Sequence, residues 1–485
     1  MIGYGQVNHR DEIDPAKRSV EPVDLMASAA RQAADSRVIE AVDSIRVVNV
    51  LSAHYRDPGL LLGERIGAAD FTTLYSPVGG NVPQSLVNQA CLDIQRGRAG
   101  VVLLAGAETW RTRRGLKAKG SKLEWTVQGD SVPMAKVTDD DVPMAGEAEL
   151  RIRMDRPAYV YPLFEQALRI ANGESVEDHL ERIGELWARF NAVAVNNPHA
   201  WIRKPVTAEE ICQPGPQNRM ISWPYTKLMN SNNMVDQGAA LILTSVEQAE
   251  RLQVPADQWV YPHAGTDAHD TPAIAERYEL HRSAAIRIAG ARALKLAGVG
   301  IDDVDHVDLY SCFPSAVQVA AAELGLSVDD PARPLTVTGG LTFAGGPWSN
   351  YVMHAIATMA ELLVANPGRR ALITANGGYL TKHSFGVYST EPPAEFRWED
   401  AQPAVDREPT RDGLVEWEGV GTVEAWTTPF DREGQPEKAF VAVRTPDGSR
   451  TLAVIAGPAA AEATVREDIG GTKVAVAADG SATLQ

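Results

Sequence analysis

The chain has 485 residues, 44% of them apolar, and a formal net charge of −17. This is enough material for two or three packed domains, and the negative balance disfavours nucleic acid and anionic membrane as partners. No run of ~18 apolar residues marks a membrane span, the early charges do not fit a secretory leader, and Cys91, Cys212 and Cys312 lack metal-ligand or disulfide spacing, so a cytoplasmic protein without a metal site is expected.

Residues 84–96 carry apolar side chains at helical spacing, and VVLLAG at 101–106 reads as a buried strand ending in a small-residue turn, Gly106-Ala107-Glu108. The basic stretch from Trp110 to Lys119 reads as a solvated surface loop, with a phosphate-contacting loop as the alternative. From 116 to 235 runs a long insertion rich in Trp, Met and charge, with a helix predicted over 178–195. It is expected to lie over the active face. ALILTS at 240–245 closes a first half.

A second half opens near 259–265. It continues with a helix over 283–297, a strand-to-turn at 304–313, a helix over 316–326 and a glycine turn from Gly339 to Gly346. An apolar helix over 351–364, a buried strand over 371–375 and the turn Asn376-Gly377-Gly378 follow. The order of helix, breaker, buried strand and glycine turn occurs in both halves, which predicts an internal duplication. A polar linker spans Glu391 to Arg411, and the tail alternates apolar and polar residues between Asp-Gly and Gly-Gly turns. The expected division is 1–250 with the insertion at about 116–235, then 251–391, then a small all-β domain over 410–485.

Five stretches, 77–108, 225–245, 307–325, 339–359 and 371–390, resemble the thiolase superfamily, most closely the sterol-carrier-protein-associated thiolases and the mycobacterial thiolase-like proteins of type 1. The tail resembles the extra C-terminal domain of the latter, and in strand pattern an oligonucleotide-fold barrel. The resemblance implies an α/β fold of two similar halves in five αβαβα layers. The site would lie where helix N-termini and glycine turns meet, a setting suited to thioester oxyanions.

It also implies four catalytic positions, and each is altered. Gly80, followed by Asn81, stands where the family has its nucleophilic cysteine. Tyr310-Ser311 stands at the pair that holds water or carbonyl. Gly346 replaces the activating histidine, and Asn376 the second cysteine. Cys91, Cys312 and His354 read as core residues. Asn81, Tyr310, Ser311, Asn376 and His383 remain as ligand-binding candidates. Without nucleophile and base, acyl-cysteine chemistry is not expected.

Three functions fit. The first is a non-catalytic binder of CoA, acyl-CoA or a lipid-like molecule. The second is an acyl-CoA-dependent enzyme of other chemistry, an acyltransferase or a retro-aldol lyase using Tyr310 and Tyr351. The third is an interaction scaffold that recruits a protein through its tail. No cofactor is expected beyond CoA as ligand. A monomer is favoured over a dimer, because Pro77, Pro83 and the added domain would disturb the family's pairing face.

Overall fold

The computed structural model describes residues 1–137 and 142–485. One five-stranded sheet has the order β1-β7-β4-β2-β3, built from β1 (Gly3–Asn8), β2 (Ser44–Val47), β3 (Thr72–Tyr75), β4 (Val101–Thr109) and β7 (Asp236–Thr244). A second has the order β12-β8-β11-β10-β9, built from β8 (Tyr261–His269), β9 (His306–Asp308), β10 (Arg370–Gly377), β11 (Lys382–Ser389) and β12 (Arg397–Asp400). Along β1, β7, β4 and β2 the pairings are antiparallel, antiparallel and parallel, and along β8, β11, β10 and β9 they are the same. This shared order is the topological trace of the duplication.

The helices Val82–Gln95 and Tyr351–Ala365 precede β4 and β10 and touch each other between the sheets. The helices Pro22–Ala33 and Ala284–Ala297 cover the outer faces. The central strands are covered on both sides, which is why they read as unbroken apolar runs. The layers are therefore αβαβα.

The tail forms a closed ring. Around it, β14 (Gly419–Pro429) pairs with β15 (Lys438–Arg444), β15 with β16 (Arg450–Ala456), β16 with β18 (Ser481–Leu484), β18 with β17 (Lys473–Val476), and β17 with β14. The helix Pro458–Arg466 joins the third strand to the fourth, the connectivity of a five-stranded oligonucleotide-fold barrel. Short β13 (Gly413–Leu414) lies on β16. The end of β14 leaves the ring and pairs with β5 (Met220–Trp223) of the insertion, which forms a hairpin with β6 (Tyr225–Thr226). Trp223 stacks on Trp426 with centroids 5.4 Å apart.

Several local expectations are corrected. Gly106-Ala107-Glu108 is not a turn but part of β4, since Ala239, Gly238 and Gln237 of β7 pair with it residue by residue. Asn376 and Gly377 likewise end β10, and the turn begins at Gly378. The basic stretch is the helix Trp110–Ala118, with Thr112 and Leu116 buried, rather than a loop. The linker contains β12, which adds a parallel edge strand to β8, and the short helix Gln402–Val405.

Candidate functional site

The start of the 82–95 helix, the turn after β9 and the end of β10 converge on Gly80. A Cβ added at Gly80 would lie 2.3 Å from Tyr310 Oη and 2.4 Å from the Asn376 carbonyl oxygen. The phenol therefore fills the space a side chain at 80 would need. Asn81 Oδ1 is wedged beside two other glycines, 2.4 Å from a Cβ built at Gly79 and 2.5 Å from one built at Gly377. Asn376 Nδ2 donates to Tyr161 Oη at 3.0 Å and lies 3.9 Å from Cys312 Sγ. Asn81 Oδ1, Asn376 Oδ1 and Ser311 Oγ are buried and accept no hydrogen bond from the protein. Buried acceptors are normally satisfied, so these three are open to a donor from outside the protein.

Behind this pocket, the ring of Tyr310 meets that of Tyr351 edge-on at 5.5 Å. Tyr351 Oη is 2.6 Å from Thr338 Oγ1 and donates to Asp308 Oδ1 at 3.1 Å. Asp308 Oδ2 accepts from Thr336 Oγ1 and from the Val337 N–H, both at 2.9 Å. Burial pushes the Asp308 carboxyl up to about 6, against the pull of those donors. Burial first, and the Cys312 thiol second, hold the Tyr310 phenol well above its ordinary range; burial and then Asp308 do the same to Tyr351.

Gly346 sits on the run 231–233. Its N–H donates to the Asn232 carbonyl at 3.0 Å, and a Cβ there would lie 2.9 Å from Asn233 Oδ1 and 3.3 Å from Ser231 Cβ. Two residues on, Trp348 has φ of 47° and is 37% exposed, a backbone setting uncommon for a bulky side chain. Its ring lies 6.1 Å from that of Trp110.

The other predicted residues are placed differently. His383 pairs with Asn376 across the ladder, but its Nε2 lies 3.6 Å from Asp270 Oδ2. With Asn81 and Lys382 it lines a cleft of about 360 Å3 that neither Tyr310 nor Asn376 borders. His354 is a core histidine, with Nδ1 3.2 Å from Gln6 Oε1 and a pKa pushed down to about 3 by burial and then by His199. Burial pushes the Cys91 and Cys312 thiols up to about 12. Among the described residues no thiol hydrogen-bonds an imidazole.

Tyr161 was not legible as a site residue. It comes from the helix Pro157–Asn172 of the insertion. Its Oη accepts from the Leu380 N–H at 2.9 Å as well as from Asn376, and donates to the Gly378 carbonyl at 3.2 Å. Its ring stacks on Phe313 at 4.5 Å, and Tyr225 lies nearly parallel to Phe313 at 5.7 Å. In sequence, both tyrosines are indistinguishable from amphipathic core residues.

Among the described residues, no helix is long and apolar enough to cross a membrane, and no cluster of His, Cys, Asp or Glu is placed to hold a metal ion. Residues 400–481 match the model of the thiolase-like protein type 1 additional C-terminal domain, and 266–347 a thiolase C-terminal domain-like model. The chain is 23% identical over 331 residues to an acetyl-CoA acetyltransferase of Methanocaldococcus jannaschii, covering 67% of this chain and 75% of the relative. It has the fold of human mitochondrial 3-ketoacyl-CoA thiolase (TM-score 0.55, 18% identity, 81% of this chain and 98% of that one). To a monomeric SCP2-thiolase like protein type 1 from Mycobacterium smegmatis it is similar with a TM-score of 0.85 and 31% identity, over 100% of this chain and 98% of that one. With the doubled sheets and the appended barrel covered end to end at 31% identity, the chain belongs to the SCP2-thiolase-like proteins of type 1.

Proposed function

We propose that this chain uses the thiolase scaffold to bind CoA or an acyl-CoA at the Gly80–Tyr310–Asn376 pocket without acyl-cysteine chemistry. The observation that carries the reading is the phenol of Tyr310 in the space above Gly80. In this reading Gly80, Gly346 and Asn376 stand at the family's cysteine, histidine and cysteine positions. The one thiol near the pocket, Cys312, is held far from thiolate by burial. Removing a nucleophile and its base costs many orders of magnitude in rate. What remains is a set of groups suited to holding a thioester or amide oxygen: the N-terminal end of the 82–95 helix, the glycine-turn backbone and the Tyr310 hydroxyl.

The retro-aldol reading draws support from an aldolase of the same fold (TM-score 0.58, 19% identity). Against it stands the burial of Tyr310 and Tyr351, which raises both phenols away from the range where they exchange protons at neutral pH. A monomer is supported by the cover over edge strand β3: the Tyr75 N–H donates to the Lys136 carbonyl at 2.8 Å, and Tyr75 bridges to Val137. Three free thiols fit a cytoplasmic setting.

Isothermal calorimetry tests the binding arm. CoA and acetyl-CoA are expected to bind the full chain, and Asn376→Ala to weaken both. Failure of either ligand to bind, at concentrations up to millimolar, overturns the reading.

A further inference from the structure

A separate groove of about 710 Å3 opens between the helix Val176–Asn196, the segment 328–337 and the 351–365 helix. Gly80, Tyr310, Gly346 and Asn376 do not border it. Its base is Leu186, Phe190 and Leu335, all buried, and Val337 and Leu362 form half-buried walls. The wall at 336–337 is pre-organised, since Thr336 and Val337 are both tied to the Asp308 carboxylate. Small-molecule sites are concave, mostly apolar, roughly 300–1,000 Å3 in volume, and carry a few placed polar groups.

The polar groups here are unevenly satisfied. On the rim, the Glu361 carboxylate lies 3.4 Å from His199, and Asp330 accepts the Ala332 N–H at 2.9 Å. Arg189 donates to the Val328 carbonyl at 2.5 Å and, among the described residues, has no carboxylate within ion-pair distance. Arg333 donates to the Val304 carbonyl at 3.1 Å, and its one carboxylate neighbour among the described residues, Asp302 at 3.6 Å, is fully exposed, where water screens the pair. Among the described residues Arg189 is thus the rim guanidinium without a carboxylate partner, and it keeps spare donors beyond its bond to Val328.

We propose that this groove binds a single-chain carboxylate amphiphile, a long-chain fatty acid, with its hydrocarbon along Phe190, Leu335 and Leu362 and its carboxylate on Arg189. An apolar base without the arginines would take any hydrocarbon. Arginine's planar fork matches a carboxylate in two parallel hydrogen bonds. The proposal does not depend on the CoA reading, because the two sites share no lining residue.

The test is calorimetric titration of the full chain with palmitate and with methyl palmitate, below their aggregation limits. Palmitate is expected to bind more tightly than its ester. Arg189→Gln is expected to weaken palmitate about tenfold and to leave the ester nearly unchanged. Leu362→Trp, which fills the groove, is expected to abolish both. Asn376→Ala is expected to change neither, which separates this site from the CoA pocket. The proposal is overturned if palmitate does not bind, if Arg189→Gln leaves palmitate binding intact, or if Asn376→Ala removes it. If Leu362→Trp misfolds by circular dichroism, the Arg189→Gln comparison decides alone.

Discussion

Tyr310 and Gly80 exclude each other's side chains: the phenolic oxygen stands 2.3 Å from the place a Cβ on residue 80 would occupy. The relationship links two segments more than two hundred positions apart, one from each half. It makes the glycine a consequence of its neighbours, the Tyr310 phenol and the Asn376 carbonyl oxygen at 2.4 Å, rather than of backbone conformation, because Gly80 is not among the glycines with positive φ.

Gly80→Cys is therefore expected to destabilise by about 1–3 kcal/mol through overpacking, and Tyr310→Ala in the same chain to relieve the part due to the phenol, with the clash against the Asn376 carbonyl remaining. Urea unfolding of the two single variants and the double variant gives the coupling energy. Additive effects would mean that the two positions do not compete for the same space.

A fully buried arginine helps fasten the barrel. Arg450 pairs with Glu424 through Nε at 2.7 Å and donates to the carbonyls of Ile274, Ala275 and Tyr278, each at 3.3 Å. Arg450→Ala leaves several buried carbonyls without their donor and Glu424 with Arg444 alone, and is expected to cost about 1–3 kcal/mol. Thermal unfolding is expected to show it, with the barrel's tryptophan Trp426 reporting loss of its environment first.

Glu108 accepts the N–H groups of Leu51 and Ser52 at 2.7 and 2.8 Å, yet burial pushes its carboxyl up to about 7. A raised folded-state pKa means that the native state holds a proton the unfolded chain has released. The stability contribution is full below the unfolded value near 4.5 and is lost as pH rises through about 7. The stability difference between wild type and Glu108→Gln is therefore expected to move in favour of the variant between about pH 4.5 and 7. Chemical denaturation across that range checks the slope; a difference independent of pH would place the carboxyl in its ordinary range.

Edge strand β3 is covered by residues up to Val137, with the Ala135 N–H also donating to the Arg56 carbonyl at 2.8 Å. Shortening 129–136 to two glycines exposes unpaired strand groups, which template pairing with a second chain. Sedimentation velocity is expected to show a dimer fraction that grows with concentration. An unchanged monomer would mean that this cover does not set the oligomeric state.

Much of the fold was legible because both halves bury their central strands and helices completely, which leaves strong apolar periods around Val101, Ala355 and Ala371. The 106–108 turn was misread because the length of β4 is set by β7, a partner some 130 positions away, and not by its own small residues. The Trp110–Ala118 helix was missed because its exposed arginines and lysines mask the two buried positions. β12 was missed because a polar edge strand has no apolar alternation to show. In the site, the convergence on Gly80, Tyr310 and Asn376 followed from the ordered motifs. His383 did not follow: strand pairing brings its backbone beside Asn376, but its imidazole faces Asp270, with Nε2 3.6 Å from Oδ2. Tyr161 was invisible, since its role comes from where the insertion folds back and not from any pattern of its own.

The central claim is tested most directly by intact-protein mass spectrometry after incubation with acetyl-CoA, alongside an assay of acetoacetyl-CoA thiolysis. The account predicts no acetyl adduct on Cys91, Cys212 or Cys312 and no thiolysis above the uncatalysed rate, in a sample whose CoA binding is confirmed by calorimetry. An acetyl group mapped to Cys312, or turnover that disappears in Cys312→Ala, would contradict it.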